Sequence, residues 1–113
     1  IAVLVASAVP LTVSAQTNNV ASFERGKMLY EKNMCNACHG TMGNGGERAS
    51  GPMIAPNVWP LEAMKTQVRN PRLVMPRYSE KFLSDADLAD IHVWLSTIKA
   101  GPKAKDIPLL ANL

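Results

Sequence analysis

The two cysteines of this 113-residue chain stand three positions apart, in the pentapeptide Cys35-Asn36-Ala37-Cys38-His39. A chain this short gains stability from a staple such as a disulfide, a metal or a large cofactor. Cysteines this close in sequence cannot form a general disulfide framework. The better interpretation is therefore that they hold a cofactor.

The C-x-x-C-H spacing is the attachment signature of a c-type haem. Each of the two thiols can form a thioether with one haem vinyl group. His39 then lies under the porphyrin and can offer its imidazole to the iron. We therefore predict one covalently bound haem c, held by Cys35 and Cys38, with His39 as an iron ligand.

Three other interpretations of the cysteine pair stay open. A thioredoxin-like redox pair requires a βαβ context, and the sequence has no alternating strand pattern. Half of a zinc site would need His39 and His92 as its remaining ligands, because no second C-x-x-C is present. The third interpretation is a disulfide that closes a small loop.

Helical patterns flank a long region rich in glycine and proline. Ser22 is a capping residue, which predicts a first helix from about Ser22 to Asn33. Gly26 lies inside this helix, where glycine is costly, so we expect another helix to approach closely there. The breakers of residues 40–60 predict a long loop around a functional site. A short helix over residues 61–69 follows.

The clearest pattern is that of a last helix. Ser84 and Asp87 form a capping-box-like pair at its start. An apolar stripe bordered by Trp94 follows at helical spacing, formed by Leu88, Ile91, Leu95 and Ile98. Lys99 is expected in the last turn, and Gly101-Pro102 is expected to end the helix. The sequence therefore predicts an all-α fold.

The first fifteen residues carry no charge and are mostly apolar, and Val13-Ser14-Ala15 has small residues where signal peptidase cuts. We predict that residues 1–15 are the C-terminal part of a secretory signal, that the numbering begins inside the precursor, and that the protein is periplasmic. Residues 16–113 would form the mature domain, with a C-terminal tail from about residue 101. The segment is short for a membrane span, and membrane anchoring through a retained signal is the alternative.

The order of helix, C-x-x-C-H, glycine-rich loop, short helix, Met-Pro and C-terminal helix with an aromatic residue is similar to the class I (monohaem) cytochrome c family. The resemblance covers about Ser22 to Lys99. It implies a small cytochrome c-like fold of three to four helices wrapped around one haem. It also implies that the first and last helices cross at a small residue, here Gly26, with Tyr30 and Trp94 beside it.

Met75 is the predicted sixth ligand of the iron. Pro71 and Pro76 bracket it in an extended segment that can cross the open haem face, and Met75-Pro76 resembles the axial Met-Pro of the family. A thioether opposite histidine raises the reduction potential. The runner-up is Met53, and the further alternatives are Met64 and His92.

Groups around the ligands follow from the same reasoning. A ligating histidine is usually oriented by a hydrogen bond from its other ring nitrogen. Gly51-Pro52 resembles the family's Gly-Pro, whose proline carbonyl accepts that bond, so Pro52 is the predicted partner of His39. Trp59 and Arg72 are the preferred donors to the haem propionates. The other candidates near the haem are Arg69, Arg77 and Tyr78.

These features predict an electron carrier rather than an enzyme, which passes single electrons between redox protein partners, either free or as the cytochrome subunit of a dehydrogenase. The alternative is a haem enzyme or small-ligand sensor with a labile sixth ligand. The net charge of +3 is small and dispersed, which argues against nucleic acid as a partner. The apolar tail from Gly101 to Leu113 is expected either to contact a partner or to pack on its own domain.

Overall fold

The computed structural model describes residues 14–46 and 50–110, and the regular structure in these ranges is entirely helical. Helix α1 spans Ser14–Lys32, α2 spans Cys35–His39, α3 spans Leu61–Arg69 and α4 spans Asp85–Thr97. A 3₁₀ turn over Ala104–Asp106 follows. The described ranges contain no strand, so the predicted all-α fold of three to four helices is confirmed.

Helix α1 begins earlier than predicted. It starts at Ser14, so Ser22 lies inside the helix and the prediction that Ser22 caps its start was wrong. Residues 16–21 contain no glycine and no proline to interrupt the hydrogen bonds, and a residue that is favoured at a cap is still tolerated inside a helix. The predicted signal segment falls largely on residues 1–13, outside the described residues, while Ser14 and Ala15 belong to α1.

The start of α4 follows its local sequence closely. The Ser84 hydroxyl accepts a hydrogen bond from the Asp87 N–H at 3.1 Å, and the Ser84 N–H donates to an Asp87 carboxylate oxygen at 3.0 Å. These two bonds satisfy amide groups that have no partner within the helix. The predicted capping pair is therefore confirmed.

The end of α4 comes sooner than predicted. The helix stops at Thr97, and Ile98 is already extended, so Lys99 lies beyond the last turn. The Thr97 hydroxyl donates to the Trp94 carbonyl at 2.7 Å. Threonine hydroxyls that bond to nearby carbonyls compete with helical pairing. This competition gives a physical reason for the helix ending before Gly101-Pro102.

Helices α1 and α4 cross at Gly26, as predicted. A Cβ atom at this position would overlap the Asp90 carbonyl and would lie 3.0 Å from the Trp94 Cβ. The rings of Tyr30 and Trp94 pack beside the crossing, with centroids 4.8 Å apart. The Arg25 guanidinium pairs with the Asp90 carboxylate across the same contact. Glycine is therefore the residue that allows the two backbones to approach.

The apolar core lies between α1, α3 and α4. Its buried members are Leu29, Tyr30, Ala55, Val68, Leu83, Leu88, Ile91, Trp94 and Leu95. Burial of a large aliphatic side chain stabilises a fold by about 1.5–3 kcal/mol. At its surface, Asp85 at the start of α4 pairs with Lys65 and Arg69 of α3.

The C-terminal tail lies apart from this core. Residues 101–110 are exposed except for the half-buried Ile107, and the Leu109 side chain is 90% exposed. Among the described residues, no helix is both long enough and apolar enough to span a membrane.

Candidate functional site

A cavity of about 380 Å³ opens beside the core, between α2, the loop that follows it, α3 and the segment before Tyr78. Its walls are largely apolar and include Val68 and Leu88 of the core. The cavity also brings together the preferred site residues predicted from the sequence, namely Cys35, Cys38, His39, Pro52, Trp59, Arg72 and Met75.

The two thiols reach the cavity because of the short helix α2. Met34 adopts the left-handed conformation with φ of 61°, which separates α1 from α2 and lets a new helix start at Cys35. Residues three apart share one face of a helix, and Cys35 and Cys38 both line the cavity as free thiols. Helix α2 therefore presents both sulfur atoms and the following His39 side chain to the same space.

The His39 imidazole is oriented by the loop. Its Nδ1 atom lies 2.8 Å from the Pro52 carbonyl oxygen. A carbonyl can only accept a hydrogen bond, so Nδ1 carries the proton and the Nε2 atom of the neutral ring keeps a free lone pair. A Cβ atom on Gly51 would lie 2.6 Å from the Cys38 carbonyl oxygen and 3.1 Å from Nδ1. The loop can therefore approach the histidine only with glycine at that position.

Met75 lines the cavity, and its sulfur has a polar neighbour. The predicted extended segment is interrupted by a turn at Leu73–Val74, where Leu73 has a φ of 59°. The Gln67 amide donates to the Met75 Sδ atom at 3.6 Å. Gln67 was not among the predicted site residues, although the sequence contains a signal for it. Met64, Gln67 and Val68 share one face of α3 at helical spacing, so a polar side chain interrupts an apolar face.

The other candidates for the sixth ligand are placed less well. Met53 directly follows Pro52, whose carbonyl oxygen contacts the His39 ring, and its side chain is 62% exposed. Met64 lines the cavity and, like Met75, packs against the core, but the Gln67 amide bonds to the sulfur of Met75. His92 donates from Nε2 to the Trp59 carbonyl at 2.9 Å and does not line the cavity. Met75 therefore remains the strongest candidate.

The predicted propionate donors divide into two groups. Trp59 and Arg72 lie exposed in the cavity wall. Arg69 and Arg77 do not line the cavity. Arg69 instead pairs with Asp85 at 2.7 Å and donates to the Tyr78 carbonyl at 3.1 Å. Arg69 is therefore a poor propionate donor, because its charge is already paired elsewhere.

Burial changes the acidity of the groups around the cavity. It raises the pKa of the Cys35 thiol to about 11, and it raises the pKa of the Tyr30 and Tyr78 hydroxyls above their usual value. Reactive redox thiols have lowered pKa values because the thiolate is the nucleophile. A neutral, half-buried Cys35 thiol therefore fits a thiol–disulfide exchange site poorly.

Other metal chemistry also fits poorly. In residues 14–46 and 50–110, no three His, Cys, Asp or Glu side chains converge on a point that could hold a metal ion. A zinc site would need His92, which bonds to the Trp59 carbonyl. Two thiols one turn apart, a histidine with a free Nε2 atom, a methionine sulfur and apolar walls are, by contrast, a donor set that fits a haem c.

A family model described as cytochrome C oxidase, cbb3-type, subunit III matches residues 21–95. The chain belongs to the cytochrome c family. The matched range extends from α1 to the last turns of α4 and includes the C-x-x-C-H pentapeptide and Met75. No match is found among curated proteins or among solved structures. The predicted resemblance to a monohaem cytochrome c is thereby confirmed.

Membership of the cytochrome c family also settles the broad chemistry. Cytochrome c domains bind haem covalently and transfer electrons through it, and they act with other redox proteins. Their typical role is that of an electron carrier rather than of an enzyme. The family match leaves the roles of individual residues to be argued from the geometry of the cavity.

Proposed function

We propose that this cytochrome c domain carries single electrons with one haem c, joined to Cys35 and Cys38 and ligated by His39 and Met75. The observation that carries the proposal is the convergence of these four side chains on one apolar cavity. The haem count rests on the sequence, because the chain has a single C-x-x-C-H and no other cysteine.

Bound in this cavity, haem would supply a reversible one-electron Fe(II)/Fe(III) couple. The residues of the chain would then have three tasks. Pro52 holds the His39 ring so that Nε2 points to the ligand position. Gln67 contacts the Met75 sulfur and restricts its movement. The apolar wall, which includes Val68 and Leu88, excludes water and so shifts the potential of a bound redox centre.

The carrier interpretation is favoured over a ligand-binding haem protein by the surroundings of Met75. A sensor or enzyme needs an iron position that opens easily. Here the sulfur has a hydrogen-bond donor in Gln67, and proline follows Met75 directly. Trp59 and Arg72, in the exposed part of the wall, are the proposed propionate donors.

We further propose that the protein is exported to the periplasm and passes electrons to protein partners, either free or as the cytochrome subunit of a dehydrogenase. The apolar, uncharged start of the sequence supports export, and cbb3-type cytochrome c domains are typically extracytoplasmic. The exposed apolar tail, including Leu109, is the proposed contact with a permanent partner.

A redox titration of the purified holoprotein, followed by addition of carbon monoxide to the ferrous form, tests the proposed function. We expect a reversible one-electron transition and no rapid change in the spectrum with carbon monoxide, because Met75 holds the sixth position. Rapid carbon monoxide binding would favour the sensor or enzyme interpretation. Absence of any haem absorption would contradict both.

A further inference from the structure

The segment of residues 71–77, called the Met75 segment below, is poorly held by its own backbone. Apart from the local turn at Leu73–Val74, it makes no backbone–backbone hydrogen bond with any residue that the structure describes. Two of its members are prolines, which have no N–H to donate. Leu73 and Val74 are 98% and 88% exposed. Contacts at its ends and at the Met75 sulfur must therefore fix its position.

Tyr78 supplies the contacts at the C-terminal end of this segment. Its N–H donates to the Val68 carbonyl at 3.1 Å, and its carbonyl accepts a hydrogen bond from the Arg69 guanidinium at 3.1 Å. Both bonds join it to the end of α3. Its hydroxyl donates to the Asn33 carbonyl at 2.6 Å, across 45 positions of sequence. Asn33 stands two residues before Cys35, at the entrance to α2.

We propose that Tyr78 is a positioning residue that joins the Met75 segment to the chain carrying Cys35 and His39, and so keeps Met75 at its ligand position. The inference rests on the proposed function, because it assumes that Met75 ligates the iron. When the sulfur leaves the iron, the Met75 segment must move relative to α2. The Tyr78 hydroxyl opposes that movement, because it bonds directly to the residues that precede α2.

Tyr30 offers a matched control. Its hydroxyl also donates to a backbone carbonyl, that of Gly40 at 2.7 Å, and its ring also lines the cavity. The Tyr30 bond spans only ten positions and stays on the Cys35–His39 side of the cavity. Removal of either hydroxyl costs one partly buried hydrogen bond. Only the Tyr78 hydroxyl connects to the Met75 segment.

The test compares the oxidised holoproteins of the parent, Tyr78→Phe and Tyr30→Phe at neutral pH. Added imidazole competes for the iron position, and loss of the far-red band of the methionine-ligated ferric haem reports the displacement of Met75. We expect the imidazole concentration for half displacement to fall on the order of fivefold in Tyr78→Phe, the factor that loss of one hydrogen bond predicts. We expect less than a twofold change in Tyr30→Phe, even if both variants lose similar thermal stability.

If imidazole displaces Met75 equally easily in Tyr78→Phe and Tyr30→Phe, the proposal is overturned and Tyr78 has a general structural role. If Tyr78→Phe does not fold, Arg69→Gln and Lys65→Gln give the same comparison. Both variants lose an ion pair with Asp85, but only Arg69 also bonds to Tyr78. A parent protein without the far-red band would instead contradict the ligation by Met75, and with it the proposed function.

Discussion

The His39 segment, residues 35–46 and 50–55, is held mainly by hydrogen bonds within its own stretch of chain, whereas the Met75 segment depends on side chains outside it. In the His39 segment, the Gly45 N–H donates to the His39 carbonyl at 2.8 Å, and the Ile54 N–H donates to the Gly43 carbonyl at 2.7 Å. The Met75 segment has only a local turn at Leu73–Val74 and relies on Gln67 and on Tyr78 at its end.

The difference corresponds to the two tasks of the site. A short helix and a hydrogen-bonded loop can form early from local contacts, and they present the two thiols and the histidine together. A non-helical segment held at a few points can take its place after the cofactor is attached. In the proposed site, the first segment would hold the cofactor and the second would supply the sixth ligand.

The largest effect is expected at the attachment site. Cys38→Ser leaves one thiol, so the amount of haem that stays bound after denaturation should fall severely, and any remaining haem should be held by a single thioether. Covalently bound haem per chain and the spectrum of its pyridine adduct measure both effects. Ala37→Ser, at an exposed position of the same helix, should keep normal attachment. Full two-thioether attachment in Cys38→Ser would contradict this assignment.

Loss of the proposed sixth ligand should leave the covalent attachment of the haem intact. It should change the reduction potential of the iron and its binding of added ligands. Met75→Ala is expected to lower the reduction potential on the order of 0.2 V, since axial ligands set haem potentials over about 0.8 V. It should also allow imidazole and carbon monoxide to bind. The measurements are a redox titration and ligand titrations.

Met53→Ala is the matched control, because Met53 also lines the cavity but adjoins Pro52. If Met53→Ala shows the changes expected of Met75→Ala while Met75→Ala resembles the parent, the two assignments must be exchanged.

The same comparison shows what the sequence could and could not predict. The C-x-x-C-H motif located the His39 segment because attachment chemistry requires fixed spacing, and Pro52 followed from the family resemblance. The predicted range of α3, residues 61–69, is confirmed. The Tyr78–Asn33 bond joins residues 45 positions apart, and no local pattern encodes such a pairing. The predicted start of α1 was wrong, because the preference of serine for a helix cap is weak and Ser22 is tolerated inside the helix.

Steric crowding in the His39 segment should have an intermediate effect, on the stability of the fold. A Cβ atom at Gly51 would crowd both the Cys38 carbonyl and the His39 ring, so Gly51→Ala should lower the free energy of unfolding by about 1–3 kcal/mol. Gly101→Ala is the control, because no atom lies within 4 Å of its Cβ position. Thermal or denaturant unfolding measures both. Equal stability of the two variants would show that the loop does not need glycine at position 51.

The smallest effect is expected where α1 contacts the start of α4, away from both segments. Burial acts to raise the pKa of Asp87, but the hydrogen bonds from Ser84 and the Arg25 charge outweigh it and hold the pKa below its usual 3.8. A lowered folded-state pKa stabilises the fold fully above pH 3.8, and this contribution is lost as the pH falls through the lower folded value. Asp87→Asn should therefore lower stability at neutral pH by no more than about 1 kcal/mol.

Unfolding curves of the parent and Asp87→Asn between neutral pH and pH 2 test the direction of this pH dependence. The two proteins should converge at the acidic end, and the ligand spectra should be the same at neutral pH. If the difference in the free energy of unfolding between the two proteins grows as the pH falls, the lowered pKa of Asp87 is contradicted. Asp106→Asn, at an exposed position of the 3₁₀ turn, should match the parent throughout.

The most direct test of the central claim is the far-red absorption spectrum of the oxidised holoprotein at neutral pH. A methionine sulfur on ferric haem gives a weak charge-transfer band in this region. Ligation by His39 and Met75 predicts that the band is present in the parent and absent from Met75→Ala. Covalently attached haem without the band in the parent would contradict the account, because the Met75 segment would then not complete the coordination of the iron.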